Sequence, residues 1–198
     1  LAGNYATSNN FDKASDLYKN IIEKTADKKS LQERLADMLL SNKQYNSAEP
    51  VLWDLSDHYP DDMNVCIRLF ECLKALKKFD AAERIISLAI DKHPDDFALK
   101  SKKIELFIQK ADYEKALAEA KRVLETIVEK TSPRYLEIKN LIGDIYFNAG
   151  KLQEAQKCAE EVLFLEPKNT HARFTLCKIT LQTSAGLSVI GDLRQLIG

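Results

Sequence analysis

The chain has 198 residues, with 29 Lys plus Arg against 30 Asp plus Glu and a formal net charge of −1. That length excludes a disulfide-stapled miniprotein, and that charge balance lacks the basic footprint with which a nucleic-acid binder neutralises phosphates, so no nucleic-acid partner is expected. Hydrophobic residues at 45%, charged residues at 30% and only 6 Gly and 5 Pro describe a folded, helix-rich chain rather than a disordered one.

In chain order, Leu1, Ala2 and Tyr5 match the second half of an amphipathic helix, so the chain is expected to begin mid-helix as a fragment of a longer one. Phe11 and Ala14 then open a second helix, with Asp12 as the expected cap. Residues 29–42 carry Leu35, Ala36 and Leu39 on one helical face. Tyr45 and Ala48 begin the next helix behind Asn46 as cap, which puts Pro50 in the first turn. Residues 62–76 repeat the apolar face with Leu69, Phe70 and Leu73, and Phe79 and Ala82 repeat the start behind Asp80. The following helix departs from the pattern, because Lys100 and Lys103 occupy positions that are apolar in its neighbours. After Tyr113 and Ala116 come five extra residues, and ETIVEK is expected to extend that helix before Ser132 caps and Pro133 opens the next. Leu152 and Ala155 begin a fifth copy, and residues 170–183 read as one more helix. Leu187 to Ile197, with Val189, Leu193 and Leu196 in helical spacing, reads as a degenerate capping helix.

The alanines decide the architecture. Ala14, Ala48, Ala82 and Ala116 stand at one constant interval, each the third residue after an aromatic, and Ala155 follows after that interval plus five. Pro60, Pro94 and Pro167 fall twelve residues after Ala48, Ala82 and Ala155. A small residue at a fixed place in each helix pair permits close crossing of the two helices. This pattern resembles the tetratricopeptide repeat (TPR) family, whose 34-residue unit is a pair of antiparallel helices, A and B. The resemblance implies an all-α fold, a right-handed superhelical solenoid of antiparallel helix pairs. The expected organisation is a single array over residues 1–198, with units at 1–28, 29–62, 63–96, 97–135 and 136–169 and terminal helices at 170–198.

Catalytic chemistry finds no support in the residues. There is no HExxH, no Cys/His ligand spacing, no GxxxxGK[ST], no GxGxxG and no GxSxG, so no enzyme, metal or cofactor is expected. His58 and His93 precede Pro60 and Pro94, where a cation suits a helix C-terminus, and His171 stands by itself. Asp61/Asp62 and Asp95/Asp96 precede A helices, where negative charge suits the dipole. Cys66, Cys72, Cys158 and Cys177 form no CxxC pair and read as buried free thiols of a reducing compartment. A cytoplasmic location is therefore expected, or a periplasmic one if the piece comes from an exported protein. No stretch reaches the roughly eighteen uncharged apolar residues of a membrane helix, and no signal-peptide pattern opens the chain, so no direct membrane insertion is expected.

What remains is a surface. The resemblance implies that positions 2, 5, 9, 12 and 13 of each A helix line a concave groove. Position 9 gives an acidic row, Asp37, Glu71, Glu105 and Asp144, and position 12 gives Leu40, Lys74, Ile108, Phe147 and Leu181; Asn148 stands at position 13. These residues are the expected contacts for a protein or peptide segment, basic and apolar in character. The competing reading is a solvated face, its acids neutralised by Arg34, Arg68 and Lys102 three residues earlier on the same helices. The expected function is a non-catalytic protein interaction scaffold. Two alternatives stand beside it: a self-assembling homo-oligomer built through the end helices, and a recruitment arm of a larger enzyme or of a cell-envelope export assembly.

Overall fold

A computed structural model describes residues 11–22, 25 and 27–183. Among these residues there are ten helices and no strand. In chain order they are α1 Phe11–Ile22, α2 Lys28–Ser41, α3 Tyr45–His58, α4 Met63–Ala75 and α5 Phe79–Lys92. Then follow α6 Phe97–Gln109, α7 Tyr113–Glu125, α8 Pro133–Asn148, α9 Leu152–Leu165 and α10 Thr170–Gln182. The segments around Leu1, Ala2 and Tyr5 and from Leu187 to Ile197 lie outside the described residues.

The chain divides into two compact units, Leu1–Pro94 and Asp95–Gly198. In the first, α1 packs on α2, α2 pairs with α3, and α4 lies between α3 and its own partner α5. In the second, α6 pairs with α7, α8 with α9, and α10 packs on both α8 and α9. Each pair is therefore an A helix followed by a B helix. The 3.6-residue spacing turns one A face inward, so Leu35, Ala36, Leu39, Leu69, Phe70 and Leu73 are all buried. Burying each such leucine or phenylalanine contributes about 1.5 to 3 kcal/mol. The repeated alanines Ala48, Ala82, Ala116 and Ala155 have no exposed surface at all. The side chain of Ala14 lies outside those described.

The A-to-B turn is set by the backbone. Lys43, Lys77, Ala111 and Gly150 all take a left-handed conformation, with φ of 58°, 57°, 59° and 75°. At each turn the next N–H bonds back across the helix end, as in Gln44 to Leu39, Lys78 to Leu73, Asp112 to Phe107 and Lys151 to Tyr146. The left-handed residue itself donates to a nearer carbonyl, as Lys43 does to Leu40. This paired bonding is the Schellman ending, which satisfies carbonyls the helix would otherwise leave open. It recurs at the interval of the alanines, lengthened before Gly150 by the inserted residues.

The B helices begin one residue earlier than the sequence suggests. Gln44 and Lys78 occupy the caps of α3 and α5 without a side-chain bond, and Asn46 and Asp80 lie inside the first turn. Asp12 likewise falls within α1. The Schellman turn already fixes the chain entering α3 and α5, so no side-chain cap is required there. Because α3 starts at Tyr45, Pro50 is its sixth residue rather than a first-turn one, and the carbonyl of Asn46 lacks its usual donor. The buried Ala48, Leu52 and Leu55 hold the helix across that gap.

A helices do use polar caps. Asp27, Asp62, Asp96, Ser132 and Asn169 each accept a first-turn backbone N–H with the side chain. The expected Ser132–Pro133 start of α8 holds. The extra five residues, however, do not extend α7. That helix ends at Glu125, where the Thr126 hydroxyl donates to the carbonyl of Val123 at 2.7 Å. Thr126, Ile127 and Val128 form a β-branched run that disfavours helix, so residues 126–132 are a loop and α8 starts a turn earlier than its counterparts. In α6, Lys100 and Lys103 are half-buried at the edge while Leu99, Ile104, Leu106 and Phe107 supply the core.

Candidate functional site

In the first unit, the predicted contact residues lie on α2 and α4. Asp37 is exposed and Leu40 half-buried near the end of α2. Arg68 of α4 reaches back to Asp37, with Nε 2.9 Å from Oδ1, and lies 3.9 Å from Glu33. The expected pairing within each helix is thus corrected: Arg68 serves the preceding A helix, and Arg34 makes no ion pair among the described residues. An interhelical pair wins because α2 and α4 are neighbouring A helices and the long guanidinium spans them. On α4, Lys74 lies 2.6 Å from Glu71 and over the ring of Phe70 at 5.2 Å.

In the second unit, Glu105 is exposed on α6, with no ion pair among the described residues, and Ile108 is half-buried. Asp144 of α8 is deeply set and receives two groups from α10. His171 Nε2 stands 2.8 Å from Oδ2, and Lys178 Nζ stands 3.2 Å from Oδ1. Burial pushes this carboxyl up, but the His171 hydrogen bond and the charges of His171 and Lys178 outweigh it and hold the carboxyl below its ordinary value of 3.8. His171 is therefore not isolated, contrary to expectation. The Lys178 ammonium also lies 4.7 Å from the Phe147 ring and 5.3 Å from the Phe174 ring. Asn148 spends its amide on its own helix, donating to the Asp144 carbonyl at 2.8 Å.

The cluster of Asp144, Phe147, His171, Phe174 and Lys178 is only half legible in the sequence. Lys178 lies 34 residues after Asp144, so the repeat period itself places a cation where the acidic row would continue. Phe174 stands at position 5 of that same helix, and it keeps 65% of its surface exposed. With Leu181 at 56%, it gives α10 an open apolar side.

Elsewhere the expected polar features take simple forms. His58 Nδ1 lies 2.8 Å from the carbonyl of Asp54 in the last turn of α3, and His93 is the C-terminal cap of α5. All four cysteines are free thiols, but only Cys72 and Cys158 are buried; Cys66 is intermediate and Cys177 exposed. Among the described residues no group of three His, Cys, Asp or Glu is placed to hold a metal ion. No helix among them is long and apolar enough to cross a membrane.

A tetratricopeptide repeat family model matches residues 39–106. No curated protein sequence matches the chain. Among solved structures, a tetratricopeptide repeat protein of Parabacteroides merdae is similar over 99% of this chain and 76% of its own, at 12% identity and a TM-score of 0.74. A TPR protein of Thermus thermophilus is similar over 91% of this chain and 96% of its own, at 20% identity and a TM-score of 0.59. YrrB, described as a TPR protein with an unusual peptide-binding site, is similar over 87% of both chains at 13% identity and a TM-score of 0.63. A tetratricopeptide repeat is matched in sequence over residues 39–106 and helix pairs recur in both units, so the fold is the helix-pair repeat of the solved tetratricopeptide repeat proteins.

Proposed function

We propose that the chain is a non-catalytic scaffold that binds a protein segment on the A-helix faces, with apolar contact as the main source of affinity. The observation that carries this reading is the open apolar side of α10 next to Phe147. Phe174 and Leu181 stay exposed there, while the nearby charges of Asp144 and Lys178 already satisfy one another. A partner gains most where it covers aromatic surface and little where it must break an existing ion pair. Glu105 is the acid of the row left for a cation of the partner, so the segment is apolar with an isolated basic residue. The peptide-binding site described for YrrB supports the class of partner, though not its identity.

Selection of a random peptide library on the intact chain, followed by titration of the recovered peptide, tests the reading. Phe147→Ala together with Phe174→Ala should weaken binding at least tenfold, roughly the loss of one buried aromatic contact. Undiminished binding to the double variant would move the site off these helices. A mass that rises with protein concentration and falls on adding the peptide would instead favour self-assembly through the same face.

A further inference from the structure

The first unit has a second concavity, at the opposite end of α4 from Lys74. It opens where α3 and α5 end and α4 begins. Met63 and Cys66 of α4 with Ile85, Leu88 and Ala89 of α5 enclose about 140 Å³. Ile85 and Ala89 are buried, but Leu88 is 59% exposed, so one wall of the hollow is an apolar side chain still in water. An apolar cavity of roughly 150 Å³ accepts a benzene-sized guest.

The rim is electronegative. Pro60 and Pro94 have no N–H, so the carbonyls of Ser56 and Ile90 lose the donors that would sit four residues on. Two helix C-termini therefore bring open carbonyls to this edge. Asp57 and Asp91 stand exposed in the same last turns. Of the basic groups here, Lys92 is paired with Asp61 and His58 with Asp54. His93 lines the mouth as the cap of α5, and Arg84 stands one turn before Leu88 on α5, so the open carbonyls and the carboxylates of Asp57 and Asp91 face few permanent cations. The molecule shows what such a rim attracts: the Lys92 ammonium reaches across to the carbonyl of Pro60 at 2.7 Å and to Asp61 at 2.6 Å.

We propose that this hollow is a docking site, distinct from the A-helix face, for a partner segment that inserts one aliphatic side chain flanked by Lys or Arg. The aliphatic group fills the space between Cys66 and Leu88, and the flanking cations meet the carbonyl ends of α3 and α5 and the carboxylates of Asp57 and Asp91.

Cys66 in the wall provides the test. With Cys177→Ser in the full chain, Cys72 and Cys158 being buried, Cys66 is the thiol that reacts with a small alkylating reagent. Burial pushes its thiol up, so the labelling is run at mildly alkaline pH. The probes are three capped pentapeptides: leucine flanked by two lysines on each side, the same peptide with serine for leucine, and leucine flanked by glutamates. The first, at millimolar concentration, should slow alkylation of Cys66 at least threefold, and the other two should leave the rate unchanged. Leu88→Gln, at an exposed position, should abolish the protection without lowering the melting temperature. Failure of the lysine–leucine peptide to protect, equal protection by either control, or protection that survives Leu88→Gln would overturn the proposal. None of these results depends on Phe147 or Phe174, so the site stands or falls apart from the A-helix reading.

Discussion

At Lys43, Lys77, Ala111 and Gly150 the backbone makes one turn with three kinds of side chain, and the cost differs with each. A left-handed φ strains any residue with a Cβ by roughly 1 kcal/mol, while glycine escapes that strain at some expense in unfolded-state entropy. Gly150→Ala should therefore lower stability by about 1 kcal/mol from the backbone alone, since a Cβ there meets no atom within 4 Å. Ala111→Gly should raise it by about 0.5 to 1 kcal/mol, and paired denaturant melts would detect the opposite signs. The Asp144 carboxyl, held below its ordinary 3.8, contributes stability that is fully present above the unfolded value and is lost as the pH falls through the depressed one. Asp144→Asn should cost about 1 to 2 kcal/mol at neutral pH, and the difference should shrink toward zero in acid. Melts of both proteins across pH 2 to 7 check this; a gap that stays constant would mean the carboxyl gains nothing from His171 and Lys178. The sequence points to Asp144 and Phe147 but not to their partners, because His171 and Lys178 stand on a different helix, 27 and 34 residues after Asp144. Side-chain pairing at that range follows helix placement, not local spacing.

Among elements, the helix pair is legible in the sequence wherever packing alone decides it. Alanine at each crossing is such a case: Ala116 has no exposed surface, whereas Lys121 on the same helix is exposed. Ala116→Leu should cost about 1 to 3 kcal/mol by overpacking, and Lys121→Leu should stay within about 0.5 kcal/mol. Urea midpoints of the two variants are sufficient, and equal shifts would place Ala116 away from the crossing. Helix ends are less legible. Asn46 and Asp80 look like caps because asparagine and aspartate favour that role, yet the Schellman turn has already positioned the chain and the first helical residue is the aromatic before them. The end of α7 is hidden for a different reason. Helical spacing of apolar residues persists through Ile127 and Val128, but β-branching and the Thr126 hydroxyl stop the helix at Glu125.

For the whole molecule, the repeat count sets the fold and says little about the ligand. The acidic row read from the period suggests a partner studded with cations, but in each unit the structure commits part of that row to the chain's own basic groups, Arg68 for Asp37 and Lys178 for Asp144. Binding on the A-helix faces should accordingly respond weakly to salt. We expect less than a fivefold change in Kd for the selected peptide between 50 and 500 mM NaCl, with the effect of Phe147→Ala expressed mainly in faster dissociation. A steep salt dependence, measured by titration at four salt concentrations, would restore the charged row as the source of affinity. The loop of residues 126–132 has a different outcome. It joins α7 to α8, carries Val128 at 96% exposure and offers an exposed Lys130. A protease needs several residues of extended chain to fill its cleft, and this stretch can supply them without unwinding either neighbouring helix. Among the described residues, trypsin should therefore cut first after Lys130, and the protein nicked there should keep its helical spectrum, with the fragments before and after the cut still able to be joined, exchanged or labelled as separate halves.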